Sequence, residues 1–315
     1  MSLAIYNYSC KNIRIYKTLD ELELKVNNKY MFNEDNIKCI SSMSQKYYEL
    51  TNDNKDEQIP ETVTHIVLDG EYKYPLPKLP SNLLYLDLGE SSIKHKLPKL
   101  PESLLYLDLG FGYNRKIIKL PPNLLFLKLG ALYKKEIPEL PSSLTHFIDY
   151  NGYNSYITLE KLPSSLKSLN IIIDSEYFNL HLLPPDLTHL TLDVLTEINY
   201  NYLLDELPQS LLYFNIDNYN MPLTNLPNTL LVLIIGQKYN YSLDLLPDSI
   251  EILDIQYYNN KINKLPANIK KIIINKKYNY VKELLSLKPD VEIYISGDFY
   301  SYDDIMFNLY RQIKL

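Results

Sequence analysis

Residues Leu76 to Gly89 read LPKLPSNLLYLDLG, and the frame of that stretch returns about every twenty residues until the chain is nearly finished. With its second proline, Pro80, as origin, equivalent prolines fall at Pro60, Pro101, Pro121, Pro141, Pro163, Pro184, Pro208, Pro227, Pro247 and Pro266. Three, six and eight places after each stand aliphatic or aromatic residues, as in Leu83, Leu86 and Leu88 or Leu104, Leu107 and Leu109; Asp149 is the one break in the third column. A period near twenty is the mark of a solenoid, in which each repeat is one turn that buries its apolar edge only by stacking on its neighbours. It is too short for two helices and a turn. The last two aliphatic positions lie two apart, which is strand alternation, and the proline stops a helix from running through. Each repeat therefore predicts one short strand, about four to nine residues after its proline, with an extended or polyproline-like segment before it.

Those columns carry a family resemblance. The Leu-x-x-Leu-x-Leu frame with Leu-Pro-x-Leu-Pro resembles a leucine-rich repeat of the short proline-containing class. After the strand, a Tyr-Asn pair stands where that class has Asn alone: Tyr113-Asn114, Tyr200-Asn201, Tyr219-Asn220, Tyr239-Asn240 and Tyr258-Asn259. With YNMPL at Tyr219 to Leu223, the repeats are similar to FNIP repeats, with Tyr in the aromatic place; such repeats are known from social amoebae and giant amoeba-infecting viruses, often behind an F-box. The resemblance implies a mainly β, leucine-rich-repeat-like solenoid: one curved parallel sheet of about twelve short strands, an extended outer side and small helical caps. Residues 1–55 form the N-terminal cap, 56–286 the repeats and 287–315 a C-terminal cap with a final strand and helix. The Asn side chains of successive turns are expected to form a ladder bonding backbone groups that the bend leaves unpaired.

In the N-terminal cap, Asn33 fits an N-cap for a helix through about Leu50. Asp35 to Leu50 resembles the closing half of an F-box, which implies a cullin-ligase adaptor as partner; the opening half is missing, and a plain cap is the competing reading. At the other end, Lys288 to Ile295 alternates as one more strand, and a helix is expected from Ser301, with Asp303 and Asp304 in its first turn and Arg311 and Lys314 in its last.

Composition narrows the function. A net charge of −6 and a sequence pI near 5.5 argue against nucleic acid as partner. Cys10 and Cys39 have no metal-site or disulfide-scaffold spacing, the N-terminus is no ordinary signal peptide, and no apolar run nears the ~18 residues of a membrane span. The expectation is a monomer in the cytoplasm, or the host cytoplasm for a viral chain, with no cofactor or metal and no membrane partner.

Candidate chemistry is sparse. His65, His146 and His189 share the column five after the proline, but His146 and His189, two strands apart, lie about 10 Å apart and His65 about twice as far from His146, too far for one directly ligated ion. Asp87 and Asp108 sit on adjacent strands in the manner of an acid/base pair, with Lys128 on the next strand to offset them. Gly89, Gly110 and Gly130 are turn glycines rather than a nucleotide loop. An enzyme is not expected.

What remains is surface. The fifth-position column includes Tyr85, Tyr106, Phe126, His146, His189 and Tyr213, and with Asp87, Asp108 and Lys128 it is expected to stand exposed on a concave face. Such an aromatic ladder suits a protein partner; stacking that merely stabilises neighbouring strands is the alternative. The reading is a non-enzymatic protein-interaction module, with a ubiquitin-ligase substrate adaptor as its narrower form and a self-associating structural or packaging protein as the alternative.

Overall fold

The computed structural model describes residues 47–91, 93–150, 159–173, 180–195, 204 and 206–296. The chain divides into two compact units, Met1–Asn151 with Tyr300–Leu315 and Gly152–Phe299. In the first unit, six parallel strands follow one another in chain order: β1 (Tyr47–Leu50), β2 (His65–Leu68), β3 (Tyr85–Asp87), β4 (Tyr106–Asp108), β5 (Phe126–Leu129) and β6 (His146–Asp149). The second unit adds seven more in the same manner: β7 (Ser168–Ile173), β8 (His189–Val194), β9 (Tyr213–Asp217), β10 (Val232–Ile235), β11 (Ile252–Asp254), β12 (Lys271–Asn275) and β13 (Glu292–Ser296). The fold is a parallel β-solenoid, and the frame read from the sequence is its register.

The proline sets that register. In all eleven repeats the carbonyl of the frame proline accepts the amide of the residue three places on, from Val63 to Pro60 through Ile269 to Pro266. The turn redirects the chain, and the strand starts five residues after the proline. Position four is the first rung between turns: Leu84 donates to Thr64, Leu105 to Leu84, Leu125 to Leu105 and Thr145 to Leu125. Pairing is then strictly column on column, with Tyr85 opposite Tyr106, Leu86 opposite Leu107 and Asp87 opposite Asp108.

Positions three, six and eight fill the core. Leu83, Leu86, Leu88, Leu104, Leu107, Leu109, Leu124 and Leu127 are all at 0% exposure. Asp149, which breaks the eighth column, is buried as well. A second buried column consists of the tyrosines of the Tyr-Asn pairs and their equivalents: Tyr72, Tyr113 and Tyr133 in the first unit, Tyr219, Tyr239, Tyr258 and Tyr278 in the second. Two of the hydroxyls donate to backbone at 3.0 Å, Tyr72 to the Pro75 carbonyl and Tyr278 to the Asn260 carbonyl, and Tyr113 accepts the Leu97 amide at 3.3 Å, so in these turns the ring fills the space while its polar tip is paired; the Tyr258 hydroxyl is buried without a partner among the described residues.

The expected Asn ladder is present at three of the five Tyr-Asn pairs; Asn240 Oδ1 instead accepts the Asn260 side-chain amide (2.7 Å), and Asn201 lies outside the described residues. Asn114 Oδ1 accepts the Lys134 amide (2.9 Å), Asn220 Oδ1 the Asn240 amide (3.0 Å) and Asn259 Oδ1 the Asn279 amide (3.0 Å), each twenty residues on. These bonds lie at exposed positions, which lowers their worth. Gly110, at φ +64°, takes a conformation that a side chain disfavours, and a Cβ there would strike the Gly89 carbonyl oxygen.

Two expectations are corrected. The N-terminal helix does not run to Leu50, because Tyr47–Leu50 is strand β1, with Leu50 fully buried opposite Leu68; the earlier part of that helix lies outside the described residues. With β1 the described strands number thirteen, in keeping with the expected sheet of about twelve. The segments before the prolines are not uniformly extended, since Leu159–Lys161 and Leu180–Leu182 form single 3-10 turns, and a short helix α1 (Val281–Leu287) precedes β13. The strand expected within Lys288 to Ile295 is β13, and the helix expected from Ser301 lies outside the described residues.

Candidate functional site

Alternation along each strand sends positions five and seven to the face away from the repeat core. In the first unit position five stacks ring on ring. Centroids lie 4.7 Å apart for Tyr47 and His65, 5.5 Å for His65 and Tyr85, 4.1 Å for Tyr85 and Tyr106, 4.3 Å for Tyr106 and Phe126, and 6.3 Å for Phe126 and His146. Tyr85, Tyr106 and Phe126 are within 12° of coplanar stacking. In the second unit His189 stacks on Tyr213 at 5.7 Å.

These residues were expected to be exposed, and for several that is corrected. Phe126 (4%), His146 (3%) and Asp108 (5%) are buried, as is His65. Tyr85, Tyr106, Asp87, Lys128, His189 and Tyr213 are half-buried. Phe126 packs with Ile148, Tyr106 and Tyr150 in a small apolar cluster on this face, so the column is itself a packing element.

Beside the rings lies an acidic pair whose bonds are mostly internal. Asp87 Oδ1 accepts the Gly89 amide and Asp108 Oδ1 the Gly110 amide, both at 2.8 Å, so each carboxylate holds the turn that follows its strand. Lys128 Nζ bonds Asp108 Oδ2 at 2.8 Å, as its column position suggested. Asp87 has no ion pair of its own among the described residues; its Oδ2 accepts the Tyr85 hydroxyl at 3.3 Å, and Tyr85 in turn is bonded by the Tyr106 hydroxyl. Burial, with the Asp108 charge across the strand, pushes the Asp87 carboxyl up from 3.8 to about 7. Burial likewise pushes the Tyr85 and Tyr106 hydroxyls well above their ordinary range. Lys128 is held protonated by Asp108 against the opposing effect of its own burial.

The three histidines share one local device that the sequence reading missed. Each follows a threonine, and each Nδ1 lies 2.8 to 2.9 Å from that threonine's Oγ1: Thr64 for His65, Thr145 for His146, Thr188 for His189. Thr145 and Thr188 spend their hydroxyl protons on the carbonyls of Leu125 and Lys167, both at 3.0 Å. The Nδ1 of His146 and His189 must then be the donor. Burial depresses His65 and His189 to about 4, so these rings are uncharged wedges at neutral pH. No group of three or more His, Cys, Asp or Glu side chains suited to a metal ion occurs among the described residues.

A further column, two after the proline, was also missed. Ser103 Oγ bonds the carbonyls of Ser81 and Leu83, Ser143 those of Pro122 and Leu124, Ser210 those of Pro185 and Leu187, and Thr229 those of Gln209 and Leu211, all at 2.7 to 2.9 Å. The signal was legible. That position holds Thr62, Asn82, Ser103, Asn123, Ser143, Ser165, Asp186, Ser210, Thr229, Ser249 and Asn268, always a short polar residue.

Among known proteins, no family model matches the chain, and no curated protein matches it. Among solved structures, the chain is similar to CroV588, described as a novel circular leucine-rich-repeat protein, at 25% identity and a TM-score of 0.49 over 74% of this chain and 44% of that one. It is also similar to YopM from Yersinia enterocolitica, at 22% identity and a TM-score of 0.27 over 68% of this chain and 64% of that one. The chain thus spans less than two thirds of either protein. No helix among the described residues is long and apolar enough to cross a membrane.

Proposed function

We propose that the chain is a non-enzymatic protein-interaction module of FNIP-repeat type, docking a protein partner on the outward sheet face of the first unit. The observation that carries this reading is the Tyr85–Tyr106 stack at 4.1 Å, half-buried, with Asp87 and Lys128 beside it. Rings already clamped in register lose little further freedom on binding, which is what makes aromatic side chains efficient interface anchors. Asp87 and Asp108 support a non-catalytic role, because each carboxylate is already engaged in holding a turn. Phe126 and His146 serve as supports behind the docking residues.

Affinity capture from a host-cell extract with wild-type protein and Tyr106→Ala, melting both in parallel, tests the reading. The variant should lose its partner by tenfold or more while staying folded, at a stability cost of about 1–3 kcal/mol for two ring contacts. Full retention of every captured protein would exclude this face. The narrower reading, a ubiquitin-ligase adaptor, rests on residues 35–50 alone, and its last four residues now belong to β1. Binding of a cullin adaptor that vanishes on removal of residues 1–46 is its test.

A further inference from the structure

In the first unit, the segments from strand end to frame proline, residues 69–80, 88–101, 109–121 and 130–141, carry ten cations and five carboxylates, in a chain whose net charge is −6. The cations recur in rows. Two residues before the proline stand Lys78, Lys99 and Lys119, with Glu139 closing the row before Pro141; five to seven before it stand, among others, Lys94, Lys96, Lys134 and Lys135, and all of these are exposed. Glu61 pairs with Lys78 and Glu136 with Lys116, both at 3.3 Å. Among the described residues, Lys94, Lys96, Lys99, Lys119, Lys134 and Lys135 have no carboxylate partner.

Between these rows, three residues before the proline, runs an apolar line of Pro77, Pro98, Ile118 and Pro138. Ile118 is 86% exposed, the most of any large hydrophobic residue among those described. The fold does not require this arrangement. In the second unit the position two before the proline holds Lys161, Leu182, Glu206, Asn225, Leu245 and Lys264.

The dimensions suit one kind of ligand. Rows three residues apart are separated by at most about 10 Å, and a helix with its side chains is about 10–12 Å across. Solenoid turns repeat at about 4.8 Å and helical turns at about 5.4 Å, so a helix lying along the stack meets about one lysine per turn on each flank over the turns that end at Pro80, Pro101 and Pro121, and Glu139 ends the row beyond them. Four solenoid turns span about 15 Å, or roughly ten helical residues. Lysine outnumbers arginine nine to one among the ten cations, which favours recognition by net field over bidentate pairing with individual carboxylates.

We propose that this stripe docks an acidic amphipathic helix of a protein partner, its apolar side seated on Ile118 and the proline line and its carboxylates flanked by the two lysine rows. The proposal rests on the reading of the chain as a protein-interaction module, but uses residues that the sheet face does not. The probe is a synthetic helical peptide of about 18 residues, leucines at i, i+3, i+4 and i+7 and glutamates on both flanks, compared with a scrambled peptide of the same composition, phosphatidylserine vesicles and single-stranded RNA. Fluorescence anisotropy should show binding of the helical peptide alone, weakening as salt is raised.

Lys99→Glu/Lys119→Glu should reduce affinity at least about tenfold, Lys99→Gln/Lys119→Gln should do so less steeply, and Ile118→Ser should also weaken it. Lys264→Glu in the second unit should have no effect. Absence of binding, equal binding of the scrambled peptide, or tighter binding of vesicles or RNA would each overturn the proposal. Tyr106→Ala separates the two surfaces: it should leave peptide affinity unchanged, so failure of the peptide with partner capture intact sinks the stripe alone.

Discussion

Asp87→Asn should make the protein more stable at alkaline pH, although it removes a charge from a site that contains a lysine. In the folded chain Asp87 lies opposite Asp108, and Lys128 is bonded to Asp108. Its carboxyl is raised from 3.8 to about 7, first by burial and then by the Asp108 charge. Between those two values the folded state holds a proton that the unfolded state has lost, so stability is greatest at acid pH and falls as pH rises through about 7. Taken whole, the displacement corresponds to about 4 kcal/mol. Half of that is discounted because Asp87 is only partly buried. Asparagine keeps an Oδ1 for the Gly89 amide but weakens the bond from the Tyr85 hydroxyl, which costs about 1 kcal/mol. The net gain is about 1 kcal/mol at pH 8, and it should shrink to a small loss near pH 4. Urea unfolding followed by circular dichroism across that range measures it, and the difference from wild type cancels the titration of every other group. A variant less stable at pH 8, or a difference that does not change with pH, would refute the electrostatic account of this face.

Leu107→Ala, which empties a fully buried position between Leu86 and Leu127, should cost about 3–4 kcal/mol and loosen the adjoining turns, seen as faster amide exchange in β3 and β5. Asn220→Ala should cost only about 0.5–1 kcal/mol, because the Asn240 amide it releases is exposed and can bond water; a loss above 2 kcal/mol on denaturation would mean the ladder is shielded. His65 and His189 have folded values near 4, below the ordinary 6.5, so their neutral forms contribute stability that is present above pH 6.5 and lost as pH falls towards 4. NMR titration of the imidazole Cε1–H signals should place both below 5, and a value near 6.5 would refute their burial as neutral rings.

The repeat was legible because one constraint acts on many columns at once: every turn must bury positions three, six and eight and must break at a proline, so the pattern survives accidents such as Asp149. The Asn ladder was legible for the same reason, since an unpaired turn amide recurs with each repeat. Strand β1 was not, because Tyr47–Leu50 has no proline frame before it, and Tyr47 and Leu50 three apart fit one helix face as well as a strand. Exposure of the aromatic column was misjudged for a different reason. Alternation tells which face a side chain leaves by, but what packs upon that face, such as Ile148 and Tyr150 beside Phe126, is a tertiary fact.

The burial of that column changes what kind of binding each surface can support. On the sheet face, Lys128 is bonded to Asp108, Tyr85 to Asp87, and the carboxylates to turn amides, so a partner arriving there finds most polar groups already engaged. Its gain must come from covering ring area, and its affinity should depend weakly on salt. Along the proline segments the opposite holds: Lys99 and Lys119 face water without carboxylate partners among the described residues, and a ligand there gains mainly by bringing carboxylates to them. Raising ionic strength should therefore strip ligands from the lysine stripe before it affects the sheet face. A captured partner that resists salt yet is lost with Tyr106→Ala belongs to the rings, and one that elutes in salt yet survives Tyr106→Ala belongs to the lysines.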